Sequence, residues 1–81
     1  MDRVTEIIIV RAEQTCHACP SQWDAWDVAG QYWYLRYRHG IGTMSRDLGG
    51  TSGDLCFDTE DGGGVIELEE FCKLMGVTLH L

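Results

Sequence analysis

Polar and apolar residues alternate along two neighbouring runs of the chain, residues 21–27 and 31–38, which together contain every tryptophan and tyrosine. Alternation with a period of two is typical of β-strands that bury one face. Gly30 lies between the runs and can adopt the left-handed conformation that closes a three-residue turn. The pattern therefore predicts a β-hairpin.

A three-residue turn sets the register of this hairpin by placing Asp27 opposite Gln31. One face then pairs Ala25 with Trp33 and Trp23 with Leu35, whereas the other pairs Trp26 with Tyr32, Asp24 with Tyr34 and Gln22 with Arg36. The first face is apolar, so we expect it to be buried. A two-residue turn would put Asp24 opposite Leu35 and bury a carboxylate without a partner. We therefore favour the three-residue register.

The remaining pattern predicts further strands and one helix. The β-branched run Ile7, Ile8, Ile9 and Val10 indicates a first strand over residues 4–10, buried on both faces or at a subunit contact. Residues 13–20 and 48–53 are expected to form loops, and residues 43–46, 54–57 and 77–81 short strands. Apolar residues recur at helical spacing over residues 67–75, before Gly76, which predicts a helix.

These elements together predict one α+β domain over residues 1–81. Its parts are a small antiparallel sheet of four or five strands with the hairpin 21–38 at its centre, and one C-terminal helix at about 67–75. We expect the helix to pack on the face that carries Trp23, Trp33 and Leu35. A chain of 81 residues has a small core, so aromatic packing is expected to supply much of its stability.

The charge balance narrows the classes of function. Thirteen acidic and six basic residues give a formal net charge of −7. Such a chain disfavours direct binding to nucleic acid, because no cluster of Lys or Arg could displace counterions from a phosphate backbone. No apolar run reaches the roughly 18–20 residues of a membrane span, and the first residues do not resemble a secretory signal. The acidic balance makes a basic partner more natural. We expect a protein of the cytoplasm whose partner is another protein.

The cysteines raise the question of a structural metal. Cys16 and Cys19 lie in a Cys-His-Ala-Cys-Pro segment, which in a reducing compartment indicates metal ligands or free thiols rather than a disulfide. Cys56 and Cys72 are far apart and are expected to be small core residues. His17, with His39 or His80, could complete a zinc site at Cys16 and Cys19, but isolated histidines in loops are usually solvated. No cofactor is expected, and zinc remains an alternative.

Residues 58–71 resemble the second half of an EF-hand loop. Ile66, Glu70 and Phe71 match its ending, which makes Glu70 and Asp61 candidate calcium ligands, and one extra residue in the loop would add Asp58 at its start. Counting back from Glu70 places a threonine at the first ligand position and a glycine at the fifth, where oxygen side chains are expected. We favour the simpler interpretation, a glycine-rich turn that joins a strand to a helix. The glutamates of the first helical turn then complement the helix dipole.

Catalysis has little support in the sequence. It contains no phosphate-binding glycine loop and no nucleophile elbow, and the histidines are not spaced to serve a Ser or Cys nucleophile. The spacing of Cys16 and Cys19 also occurs in thioredoxin-like enzymes, but there a helix follows the pair, whereas here a strand is predicted. We therefore expect a protein without enzymatic activity or catalytic residues.

Three segments carry a resemblance to a family. They are Cys-x2-Cys-Pro-Ser-Gln-Trp at residues 16–23, Tyr-x-Arg-Tyr-Arg-x-Gly at residues 34–40, and the acidic, glycine-rich stretch at residues 58–71. Over residues 16–75 the chain resembles short, uncharacterised proteins of actinobacterial viruses (phages) and their hosts. The resemblance implies a small phage accessory protein that binds a host protein in the host cytoplasm.

Two functional hypotheses follow. The first is a protein-binding module whose contact is the outer hairpin face, formed by Trp26, Tyr32, Tyr34, Arg36 and Arg38, since Trp, Tyr and Arg dominate interface hot spots. Burial of this face under another helix or strand is the competing interpretation. The second is a small metal-binding module at Cys16 and Cys19 or at residues 58–70. The strand at residues 7–10 could in addition join two copies of the chain.

Overall fold

The computed structural model describes residues 7–17, 21–47, 52–60, 63 and 65–81. Its elements are β1 (Ile8–His17), β2 (Ser21–Asp27), β3 (Tyr32–Arg38), β4 (Ile41–Ser45), β5 (Leu55–Asp58), α1 (Leu68–Met75) and β6 (Thr78–Leu79). The six strands form one sheet in the order β5-β4-β3-β2-β1-β6. The α+β class and the C-terminal helix are confirmed. The sheet is mixed rather than purely antiparallel, because β6 pairs parallel with β1.

The predicted register of the central hairpin is confirmed. Trp23 lies opposite Leu35 and Ala25 opposite Trp33 on one face, and Trp26 lies opposite Tyr32 on the other. The Asp27 amide donates a hydrogen bond of 3.0 Å to the Gln31 carbonyl. Gly30 has φ of +84°, the left-handed conformation that a glycine adopts without strain. The turn therefore determines which side chains face the core.

The core lies on the sheet face that α1 covers. The buried apolar residues are Ile9, Trp23, Ala25, Trp33, Leu35, Tyr37, Met44, Phe71 and Cys72. The Phe71 ring lies 5.5 Å from that of Trp23 and 5.1 Å from that of Phe57, centroid to centroid. Because α1 contacts both β5 and β6, the two edge strands, the sheet curls around the helix. We call the opposite side of the sheet the outer face.

β1 is longer than the sequence predicts. Residues 13–17, expected to begin a loop, continue the strand and pair with β2 as far as the contact between His17 and Ser21. The pairing shifts register between Ile9 and Arg11 and again between Gln14 and Cys16. Ile9 is buried, whereas Val10, at the first irregularity, is 40% exposed. The apolar run at the start of β1 is therefore not buried on both faces.

The conformations and charges of the residues at its two ends favour the observed boundaries of α1. Glu67 is extended, with φ of −78° and ψ of 150°, and Glu69 and Glu70 follow in the first turn. Gly76 has φ of +84°, and its amide donates to the carbonyls of Cys72 and Lys73. Carboxylates near the amino end and a left-handed glycine at the carboxyl end favour these boundaries. Within the described residues no helix is long and apolar enough to cross a membrane.

Candidate functional site: the outer sheet face

The five side chains predicted to contact a partner all point to the outer face. Trp26 alternates with the buried residues of β2, and Tyr32, Tyr34, Arg36 and Arg38 alternate with those of β3. Arg38 is exposed and the other four are half-buried. In the part of the chain that the structure describes, no helix or strand packs over this face, because α1 lies on the other side. The register brings all five together.

One end of the outer face is an aromatic platform. The Arg11 guanidinium lies 4.3 Å from the centroid of the Trp26 ring, and Trp26 meets Tyr32 edge to face at 5.8 Å. The Tyr32 hydroxyl donates a 2.7 Å hydrogen bond to Asp24 Oδ1. Burial, together with this hydrogen bond to a carboxylate, raises the pKa of Tyr32 far above its ordinary value. Tyr32 therefore remains a neutral hydrogen-bond donor at physiological pH.

The middle of the outer face holds Tyr34 in place. Gln22 on β2 donates a short hydrogen bond from Nε2 to the Tyr34 hydroxyl. Tyr34 also lies opposite Asp24 on one side and Ser45 of β4 on the other. These contacts fix the phenol ring, so its free face is presented in one orientation.

The other end of the face is a cationic cleft. Arg36, Arg38, His39, Ile41 and Thr43 line a cavity of about 220 Å³, which we call the arginine cleft. The Nε atom of Arg36 is buried and has no hydrogen-bond acceptor. Among the described residues neither Arg36 nor Arg38 forms an ion pair, in contrast to Arg11, which lies 3.0 Å from Glu13. The cleft therefore presents positive charge that no carboxylate of the described residues pairs with.

The metal candidates at the cysteines are only partly described. Cys16 is half-buried near the end of β1, whereas Cys19 lies outside the described residues. His39 is in the turn between β3 and β4, and His80 follows β6. Cys72 is buried as predicted, but the same prediction for Cys56 is wrong. Cys56 is exposed because it points to the outer side of edge strand β5.

The calcium candidates are likewise only partly described. Asp58 ends β5 and its Oδ1 accepts a 2.8 Å hydrogen bond from the Glu60 amide. Asp61 lies outside the described residues, and Glu70 is exposed on α1. The Thr59 hydroxyl, at the first position of the proposed loop, lies 2.9 Å from the Tyr37 hydroxyl. Within the described ranges no three His, Cys, Asp or Glu side chains come close enough to hold a metal ion.

Two contributions to the site were missed by sequence reasoning. Arg11 reaches Trp26 only because β1 continues past Val10, in a stretch that was expected to lead into a loop. Asp27 supports the hairpin by accepting hydrogen bonds from the amides of Ala29 and Gln31 and from Trp33 Nε1. An aspartate directly before a three-residue turn is a recognisable signal for such bonds to the turn amides.

Comparison with known proteins gives no counterpart: no family model, no curated protein and no solved structure matches this chain. The function is therefore inferred from the chain's own side chains and their geometry.

Proposed function

We propose that the protein is a small, non-enzymatic binding module that contacts a partner protein through Trp26, Tyr32, Tyr34, Arg36 and Arg38 of the outer face. The observation that carries this proposal is the gathering of these five side chains on the sheet face opposite the helix. Trp, Tyr and Arg bury a large area with few rotatable bonds, so they supply much of the energy of protein interfaces.

The contacts within the face support the same proposal. Trp26 lies between Arg11 and Tyr32, and Tyr32 and Tyr34 are held by hydrogen bonds to Asp24 and Gln22. Side chains that are already ordered lose little conformational entropy when a partner binds. The outer face is therefore preorganised for binding.

The identity of the partner rests on the resemblance and on charge. The resemblance to short proteins of actinobacterial viruses favours a phage-encoded accessory protein that binds a host protein in the host cytoplasm. The net charge of −7 disfavours nucleic acid as the partner. A second copy of the chain is a further proposed partner, and Val10, exposed on β1, is the residue that such a contact would cover.

The test is affinity capture from an actinobacterial lysate with the parent and the double variant Tyr34→Ala/Arg36→Ala side by side. We expect the variant to stay folded and to lose the captured partner, because each hot-spot residue contributes on the order of 2 kcal/mol or more to binding. The matched control is Val65→Ala/Leu74→Ala, which removes two exposed apolar side chains elsewhere and should capture normally.

Two outcomes would contradict the proposal. Capture of the same partner by a folded Tyr34→Ala/Arg36→Ala protein would exclude the outer face as the contact. Unfolding of that variant would instead indicate that the face supports the fold of the domain. The Arg38→Ala variant, which changes an exposed residue, would then test whether the face contacts the partner. A folded Arg38→Ala protein that binds like the parent would reject the arginine end of the interface.

A further inference from the structure

The arginine cleft combines three features that point to an anionic ligand. It is a shallow depression, Arg36, Arg38 and His39 line it, and neither arginine has an ionic partner among the described residues. The chain contains thirteen acidic and six basic residues, so carboxylates are abundant. Two arginines left unpaired in so acidic a chain are available to an incoming anion.

The strand geometry fixes the spacing of the two cations. Arg36 and Arg38 are two residues apart on β3, so both point to the outer face, roughly 6–7 Å apart along the strand. Arg36 lies opposite Gln22 of β2 and Thr43 of β4, which confine it on both sides. Because its buried Nε atom has no acceptor, this N–H group has lost water without gaining a partner.

We propose that the arginine cleft binds the carboxylates of an acidic segment of the partner protein, an inference that rests on the proposed function. An extended segment carries alternate side chains on one face at the same spacing of roughly 6–7 Å, so two acidic residues separated by one residue match Arg36 and Arg38. Each guanidinium offers a planar fork of donors that suits a carboxylate. The Thr43 hydroxyl can donate a further hydrogen bond.

Charge on the rest of the outer face selects this ligand over a polyanion. Glu13, Asp24 and Asp58 also point to the outer face: Glu13 lies opposite Asp24, Asp24 opposite Tyr34, and Asp58 opposite Ile41. A nucleic acid strand would bring phosphates against these carboxylates as well as against the arginines. The two carboxylates of a short segment meet only the cleft. The aromatic platform lies further along β3, where it can take an apolar residue of the same segment.

The test uses the whole, isotope-labelled protein and three probes in NMR titrations. The probes are an end-blocked Ala-Glu-Ala-Glu-Ala peptide, the same peptide with Gln in place of Glu, and inorganic phosphate. We expect the Glu peptide to shift the Arg36 Nε–H signal and the backbone amides of residues 38–40. The Gln peptide should cause no such shift, and phosphate should bind more weakly than the Glu peptide.

The variants separate charge from geometry. R38Q removes an exposed cation and should weaken binding of the Glu peptide by about five-fold or more, because a charge-assisted pair is lost. R36K keeps the charge but loses the planar fork, so it should weaken binding by about three-fold or more. K73Q removes a cation from α1, on the other side of the sheet, and should leave the affinity unchanged. An amide spectrum of each variant establishes that it is folded.

The possible outcomes have distinct meanings. Equal binding of the Gln and Glu peptides, no binding of either, or unchanged affinity in folded R38Q and R36K proteins would overturn the proposal. Tighter binding of phosphate than of the Glu peptide would assign the cleft to a phosphate group instead. If Tyr34→Ala/Arg36→Ala loses the partner but the parent does not bind the Glu peptide, the outer face remains the interface. Carboxylates are then rejected as the ligand of the cleft. If the Glu peptide binds the parent but Tyr34→Ala/Arg36→Ala still captures the partner, the outer face is not the interface. The partner is then not the source of the carboxylates.

Discussion

Asp27 stabilises the central hairpin through its carboxylate. Oδ1 accepts hydrogen bonds of 2.9 Å from the amides of Ala29 and Gln31, and Oδ2 accepts one of 3.0 Å from Trp33 Nε1. Partial burial acts to raise the pKa of Asp27, but these hydrogen bonds and the charge of Arg46 together hold it below its ordinary value. The same carboxylate therefore closes the turn and satisfies the indole of a buried tryptophan.

We expect Asp27→Ala to lower the free energy of unfolding by about 1–3 kcal/mol, since it leaves the Trp33 indole N–H without an acceptor. Asp27→Asn keeps one acceptor oxygen and should lose less. Because the pKa is lowered in the folded state, this stabilisation is present at neutral pH and is lost as pH falls below about 4. Urea denaturation at pH 7 and pH 3 measures both effects. An Asp27→Ala protein as stable as the parent at pH 7 would contradict this role.

Cys72 predicts a second pH dependence, at alkaline pH. Burial, with a smaller contribution from Glu69, raises the pKa of the Cys72 thiol from 9.0 to about 11. In the unfolded chain the thiol releases its proton at a lower pH than in the folded protein. Stability is therefore fully present below pH 9 and is expected to fall as the pH rises from 9 towards 11. Tyr32, whose pKa is also raised, acts in the same direction at higher pH.

Urea denaturation under reducing conditions between pH 8 and pH 10.5 tests this expectation. The free energy of unfolding should fall across this range in the parent, and the fall should be smaller in Cys72→Ala. That variant is expected to be less stable at every pH because it loses a buried sulfur. Equal pH slopes for the parent and for Cys72→Ala would show that the thiol does not contribute.

At the scale of elements, the hairpin was predictable because two independent local signals agreed. The alternation of Trp23, Ala25, Trp33 and Leu35 with polar residues defines a buried face, and Gly30 selects the turn that brings that face into register. The register in turn places the five proposed contact residues on the outer face. This much of the candidate site follows from local sequence.

β1 and β6 show where local sequence is insufficient. The register against β2 shifts at Val10 and again between Gln14 and Cys16. Together with the polar residue Gln14 on the core-facing side, these shifts interrupt the alternation by which a strand is recognised. β6 has only two residues and is formed through bonds such as that from the Thr78 amide to the Ile7 carbonyl. The strand itself was predicted within residues 77–81, but its parallel pairing with residues so distant in sequence leaves no local pattern. The position of Arg11 beside Trp26 depends on β1 and could not be predicted for the same reason.

The contact between β4 and β5 depends on the absence of a side chain at Gly42. A Cβ atom at this position would lie 2.2 Å from Cε2 of the Phe57 ring, well inside van der Waals contact. Phe57 itself stacks on Tyr37 at 5.9 Å and meets Phe71 edge to face. A side chain at residue 42 would therefore displace a ring that joins the sheet edge to the helix.

We expect Gly42→Ala to lower the free energy of unfolding by about 1–3 kcal/mol, the usual cost of overpacking. A smaller side chain at residue 57 should relieve the clash, so Gly42→Ala/Phe57→Leu should lose less stability than the two single changes added together. Urea denaturation of the four proteins in this cycle measures the coupling. Strictly additive losses would show that the two positions do not interact.

At the scale of the whole molecule, a single short helix closes the core. β5 and β6 lie at opposite ends of the sheet, and α1, which separates them in sequence, contacts both. The acidic first turn of the helix therefore lies on the side of the sheet away from Arg36 and Arg38. On the opposite, outer face Arg36 and Arg38 have no ion pair with any described residue, and that face is the proposed interface.

Phe71 is the residue on which this closure depends most. It is fully buried on α1 and contacts Trp23 of β2 and Phe57 of β5, two strands that are not neighbours in the sheet. We expect Phe71→Ala to cost about 3–5 kcal/mol, a large share of the roughly 5–15 kcal/mol that holds a typical domain folded. The loss should be greatest at the β5 edge, where the Phe57 ring packs against Phe71.

Hydrogen exchange measured by NMR, together with thermal unfolding, tests that expectation. In Phe71→Ala the amides of β5 should lose protection before those of the central hairpin, and the melting temperature should fall. Leu74→Ala is the matched control, because Leu74 is on the same helix but 43% exposed, so that variant should melt like the parent. Uniform loss of protection across β2, β3 and β5 would show instead that the sheet unfolds as one cooperative unit. Unchanged protection at β5 would show that the edge is held without the helix.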